Sequence, residues 1–257
     1  MYNGAEDGDF YLYYAKCNLF LYPSIWKDNK IKTSDQKDHV HVQADGYGDI
    51  VVTDDPFQWS HSMPVKDHYC LISRVVTKSH PNPIPEVGDI DNFAKYVTEH
   101  PDIAQRNVAF VNAETPTFSK SPKYTQGSKE EKVHFLLACT ECPVGSEVAF
   151  SCGAPGPDPL IDMPRTKITD PSYQSFGIKS KVPAGFESDI TFSYWSNGGK
   201  PGKGFKIKIS AIHVVSQGNE LYARAADPVE LGFPQNLLEE FGPEKAIQLG
   251  AFTAVGK

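Results

Sequence analysis

Residues 67–77 (DHYCLISRVVT) and 102–112 (DIAQRNVAFVN) constrain the fold most, because each reads as a core strand with alternating faces. Such a strand has a dry face that must be laid against a second layer. Between the two runs lies a long loop rich in Pro, His and acidic residues. The arrangement predicts a β-sandwich, a scaffold used for binding more often than for chemistry.

The same texture continues along the chain. Strands are predicted at 10–21, 39–43, 50–53, 69–77 and 103–111. A helix is predicted at 90–99, capped by Asp89 or Asp91, with Phe93, Tyr96 and Val97 on one face and Pro101 ending it. The Thr-, Pro-, Ser- and Lys-rich stretch 114–129 reads as a linker. A second block of strands follows at 133–139, 147–152, 176–182, 189–195 and 205–215, and short helical pieces at 236–241 and 243–249 close the chain. Twenty Gly and 20 Pro favour many turns and short strands over long helices.

Hydrophobic residues at 40% and aromatics at 12% suffice for a buried core. The net charge of −7 repels phosphate backbones, and the Lys-bearing run 200–208 reads as a strand with a wet face, so nucleic acid is not an expected partner. No run approaches the roughly 18 apolar residues that cross a bilayer. The first residues lack the basic start and apolar run of a signal peptide. The expectation is a soluble protein, cytoplasmic or exported without a cleaved signal. Five cysteines, an odd number, argue against a dense disulfide framework, and Cys17 and Cys70 sit in apolar runs as small hydrophobes do.

Several constellations invite a chemical reading. Cys139-Thr-Glu-Cys142 is the sole CxxC; with Cys152 and His134 it is a candidate zinc set, although the pair follows a strand rather than opening a helix. His39 and His41 share a strand face and, with His61 or His68, are candidate imidazole ligands. Asp35, Asp38, Asp45, Asp49, Asp54 and Asp55 gather in loops but lack EF-hand spacing for Ca²⁺. No GxSxG, P-loop or GxGxxG occurs, and Glu130-Glu131 and Glu239-Glu240 read as linker or helix-surface carboxylates. Trp195 reads as packing between β layers, whereas Trp59 sits in a loop composition.

Residues 22–112 resemble immunoglobulin-like modules of the CARDB-like type found in multidomain bacterial proteins. The matching stretches are Pro23-Ser-Ile-Trp26, the 39–43 strand, Asp67-His-Tyr-Cys-Leu-Ile-Ser-Arg74 and Ile103-Ala-Gln-Arg-Asn-Val108. The resemblance implies an adhesive or spacing unit and carries over no catalytic residue. The long insertion at 79–101 departs from the pattern.

The expected architecture is mainly β, with two immunoglobulin-like antiparallel β-sandwich domains and minor short helices. The first covers 1–115, a linker 116–130, the second 131–217, and an extension at 218–257 packs on the second. The expected function is a non-enzymatic structural or binding module that acts through loops or edge strands on a protein or carbohydrate partner, with no cofactor. Phe57, Trp59, His61, His80, Asp89 and Asp91 are the candidate contact residues. The alternatives are a secreted host-directed toxin component that binds cells or membranes, and a metal-dependent hydrolase built on His39, His41 and His68.

Overall fold

A computed structural model describes residues 5–46, 48–59, 68–100, 103–152 and 160–257, apart from the side chains of Arg106 and Val108. The protein is mainly β, and its sheets are almost wholly antiparallel. It divides into two compact units. One comprises Met1–Cys17, Leu21–Val87 and Tyr96–Arg106, the other Asn18–Phe20, Gly88–Lys95 and Asn107–Lys257.

In the first unit the described residues form one six-stranded sheet. Its centre is β1 (Glu6–Lys16), which pairs along its whole length with β5 (Tyr69–Thr77). On its other edge β1 meets β3 (Val40–Ala44) and then β2 (Lys30–Thr33). Strand β4 (Phe57–Gln58) flanks β2. The buried face carries Tyr13, Ala15, Cys70 and Ile72. Trp26 packs edge-on against Tyr13 and donates its indole N–H to Leu21 O at 2.9 Å, satisfying the polar atom of a buried ring. Residues 50–53, predicted as a strand, lie outside any strand, and Ile50 and Val52 are exposed.

Helix α1 spans Ile90–Glu99, as the sequence predicts. The predicted strand 103–111 is in fact two. Strand β6 (Ile103–Arg106) pairs with β5, whereas β7 (Val108–Val111) pairs in parallel with the last strand of the chain. A single alternating run therefore serves two sheets, because Asn107 is the point at which the chain leaves one unit for the other.

In the second unit the described residues form two five-stranded sheets. The stretch read as a linker holds β8 (Thr117–Lys120) and β9 (Lys123–Thr125). Beyond it come β10 (Glu131–Thr140), β11 (Glu147–Cys152), β12 (Asp162–Lys167), β13 (Tyr173–Val182), β14 (Glu187–Trp195), β15 (Lys206–Val215), α2 (Gln235–Leu238) and β16 (Lys245–Gly256). One sheet runs β13-β10-β15-β16-β7; the other runs β12-β11-β14-β8, with β9 also on β14. Rings join the two: Tyr124 meets Phe135 at 5.2 Å and Phe192 meets Phe252 at 5.7 Å.

Strand β10 is buried from Val133 through Leu137, a continuous buried run rather than an alternation. The reason is that its outer face is covered as well. Phe233, Leu237 and Phe241 pack on Leu136 and Ile212, so the chain after residue 218 supplies a lid segment and then the long strand β16 rather than helices alone. Residues 18–20 also belong here: Leu19 N–H donates to Lys123 O, and Phe20 packs against Phe93 and Tyr124. Gly250 makes this approach feasible, since a Cβ there would lie 1.6 Å from Leu19 O. Gly250→Ala is expected to destabilise at or above the upper end of the roughly 1–3 kcal/mol typical of overpacking, read as a lower urea midpoint at unchanged slope.

Candidate functional site

The N-terminus of α1 fixes the first element of the site. Asp89 accepts the backbone N–H of Asn92 at 2.9 Å and its side-chain amide at 3.0 Å, an N-cap that leaves Asp89 buried. Burial alone would raise the Asp89 carboxyl, but the Asn92 N–H and the Lys129 ammonium at 3.1 Å outweigh it and hold it below its ordinary range. Two residues on, Asp91 sits in the first turn, and its Oδ1 lies 3.2 Å from Nε2 of His213 on β15.

Strand pairing supplies the third residue. The register that sets His134 opposite Ile212 and Phe135 opposite Ala211 puts position 213 beside Val133. Glu131 is two residues further along β10 and therefore shares that face. Its Oε2 stands 3.6 Å from His213 Nδ1. One donor atom from each of Asp91, Glu131 and His213 can be chosen so that all three lie within 4.8 Å of one another.

Among the described residues, both Glu131 carboxylate oxygens and His213 Nδ1 are buried without a hydrogen-bond partner, and His213 is only 8% exposed. A carboxylate in that position is costly. Burial, then the charges of Asp91 and Asp89, push the Glu131 carboxyl up to about 7. Burial likewise depresses His213, against the pull of Asp91. The three residues line a cleft of about 1180 Å³ whose wall also includes Lys132, Phe241 and Glu244. His134 borders the same cleft between the rings of Phe233 and Phe241, and burial pushes its imidazole down to about 4.

The residues singled out from the sequence fall mostly elsewhere. Asp91 is in the cluster and Asp89 caps its helix. Phe57 packs edge-on against Phe10, and Trp59 packs between Tyr14 and Tyr69 at 4.9 and 5.7 Å. His80 donates its backbone N–H to Thr77 Oγ1, and its ring faces Ser79 Oγ at 3.1 Å. His61 lies outside the described residues. His39 and His41 face carboxylates: Nδ1 of His39 is 3.0 Å from Asp38, and Nδ1 of His41 is 3.4 Å from Asp9. His68 belongs instead with Cys17 and Cys70.

Cys139 and Cys142 are buried neighbours, and their mutual hydrogen bond together with burial raises the Cys139 thiol, the opposite of what a redox thiolate needs. Cys152 is buried and joins no three-donor group among the described residues. The loop aspartates are engaged locally. Lys30, then His39, draw Asp38 down to about 2, and Asp49 accepts the N–H groups of Asp45 and Gly46. Trp195 is half-buried beneath the Arg165 guanidinium, 4.3 Å from its ring.

Glu131, read with Glu130 as a linker or helix-surface carboxylate, instead opens β10, and nothing in the sequence points to His213, since no local motif joins residues so far apart in the chain. The only local signals are an acidic residue opening an apolar strand and a lone histidine inside the run Ala-Ile-His-Val-Val. No protein-family model matches the chain and no curated protein matches it, so the site is read from its own geometry.

Glu131 gives this geometry a measurable consequence. Its folded pKa is raised, so the folded chain holds a proton that the unfolded chain has released; stability from this group is full below about pH 4.5 and is lost as pH rises through about 7. In metal-free protein, Glu131→Gln is expected to stabilise at pH 8 by up to about 3 kcal/mol and to change little at pH 4.5, as chemical denaturation at the two pH values will show.

Proposed function

We propose that the protein is a non-enzymatic binding module that holds a first-row divalent cation through Asp91, Glu131 and His213 and uses it to engage a partner in the cleft. The observation that carries this reading is the convergence of one imidazole and two carboxylates, with both Glu131 oxygens and His213 Nδ1 buried without a hydrogen-bond partner among the described residues. One nitrogen and two oxygen donors suit Zn²⁺ or Mn²⁺ better than Mg²⁺, which favours oxygen throughout, or Cu⁺, which favours sulfur. A cation would offset the cost of burying Glu131 as an anion. Three protein ligands leave positions open towards the cleft, where a partner's oxygen atoms, protein carboxylate or carbohydrate hydroxyl, would complete the shell. A binding role is in keeping with the resemblance of residues 22–112 to adhesive or spacing modules.

The same open positions favour one second reading. A cation-bound water at a three-ligand site is a nucleophile near neutral pH, so a metal-dependent hydrolase would be centred here rather than on His39, His41 and His68.

Calorimetric titration of chelator-treated protein with Zn²⁺ and Mn²⁺ tests the cation. A site that takes Mn²⁺ as well as Zn²⁺ is expected in the wild type, weakened at least about tenfold in His213→Gln and in Glu131→Gln. Equal affinity in wild type and variants sinks the proposal. Cation-dependent turnover of activated ester or phosphodiester probes, lost in the same variants, would favour the hydrolase.

A further inference from the structure

In the first unit, the ladder between β1 and β5 brings together a second donor set of different chemistry. Its register sets Ala15 opposite Cys70 and Lys16 opposite Tyr69. One step on, Cys17 N–H donates to His68 O at 2.9 Å, so Cys17 stands opposite His68 at the end of the ladder. His68 and Cys70 are two apart on their strand and Cys17 faces them, so all three side chains leave the same side of the sheet. That side is the buried one, shared with Tyr13, Ala15 and Ile72. Cys70 is fully buried, Cys17 nearly so, and His68 is half-buried. Both cysteines are thiols, and one donor atom from each of the three residues lies within 4.8 Å of the others.

We propose that Cys17, His68 and Cys70 form a binding site for a thiophilic cation, Zn²⁺ or Cu⁺. Two thiolates and an imidazole are the donors that select these ions from harder ones such as Mg²⁺ or Ca²⁺. Around a tetrahedral zinc, with bonds of about 2.3 Å to sulfur and about 2.0 Å to nitrogen, ligand atoms stand roughly 3.5–3.8 Å apart. The register fixes the three backbones, so closing the donors from within 4.8 Å to that spacing would fall to side-chain rotation. Three donors satisfy Cu⁺, while Zn²⁺ would take water as its fourth ligand, on the half-exposed His68 side.

Binding Zn²⁺ converts two thiols to thiolates and releases two protons to solvent; no electron is transferred. Affinity should therefore rise with pH. The site differs from the Asp91–Glu131–His213 cluster in donor type and in the residues used, so either can fail without the other.

The test uses chelator-treated, reduced full-length protein titrated with Co²⁺ as a spectroscopic substitute for zinc. The expected result is a thiolate-to-cobalt charge-transfer band that saturates at one equivalent and is reversed by Zn²⁺. It should be absent in Cys17→Ala and in Cys70→Ala, and it should persist in His213→Gln. His68→Gln alters a half-exposed side chain, so it tests the site even where a buried cysteine variant misfolds; cobalt and zinc affinity should fall at least about tenfold. A parallel competition with a Cu⁺ chelator decides between the ions, tighter Cu⁺ retention assigning the site to copper. No charge-transfer band in folded wild type, or a band that survives unchanged in His68→Gln and in the cysteine variants, overturns the proposal.

Discussion

The pairing of β10 on both of its edges is the constraint on which the second unit depends. Ten residues of this strand bond to β13 on one side, and seven bond to β15 on the other. Its inner face meets Tyr124 of the opposing sheet, and its outer face lies beneath Phe233, Leu237 and Phe241. A strand dry on both faces has no slack in register, because a slip of one residue would turn every side chain to the wrong face. That fixed register is also what aims Glu131 at His213. Sheet holds Glu131 and His213 and a helix turn holds Asp91, while the loop residues 216–218 and 239–244 complete the cleft wall.

Much of the β architecture was legible in the sequence, for reasons that differ by element. Strand β5 and helix α1 were found at their bounds, because alternation in one case, and a capped run ended by Pro101 in the other, are local signals. The strand expected at 103–111 misled because periodicity shows which residues face a core but not which core. Residues 50–53 have the β-branched composition of a strand but pair with no strand among the described residues. Strands β8 and β9 were missed because a short polar strand beside prolines looks like a linker until β14 supplies its bonds.

The candidate sites follow the same logic. Asp91 was visible as an acidic residue at a helix start. Glu131 and His213 were hidden because the sheet, not the chain, makes them neighbours. For His68, spacing suggests His39 and His41, while the ladder sets it beside Cys17 and Cys70. Both clusters arise where an antiparallel register sets residues distant in sequence side by side. One gathers oxygen and nitrogen donors, the other sulfur and nitrogen, so Mn²⁺ would favour the first and Cu⁺ the second, with Zn²⁺ open to both.

The second unit draws on three separate stretches of the chain, and this has a consequence for how the protein is made. Leu19, whose carbonyl abuts Gly250, leaves the ribosome well before its partner strand. Asp91 likewise precedes His213 by much of the chain. The second unit is therefore completed only once β16 has been made, and until then residues 18–20 and 88–95 must wait with their apolar side chains unmatched. A boundary drawn at residue 107 would look natural on a map of the strands. The fragment beginning there would nonetheless lack part of its own core and one corner of its cleft.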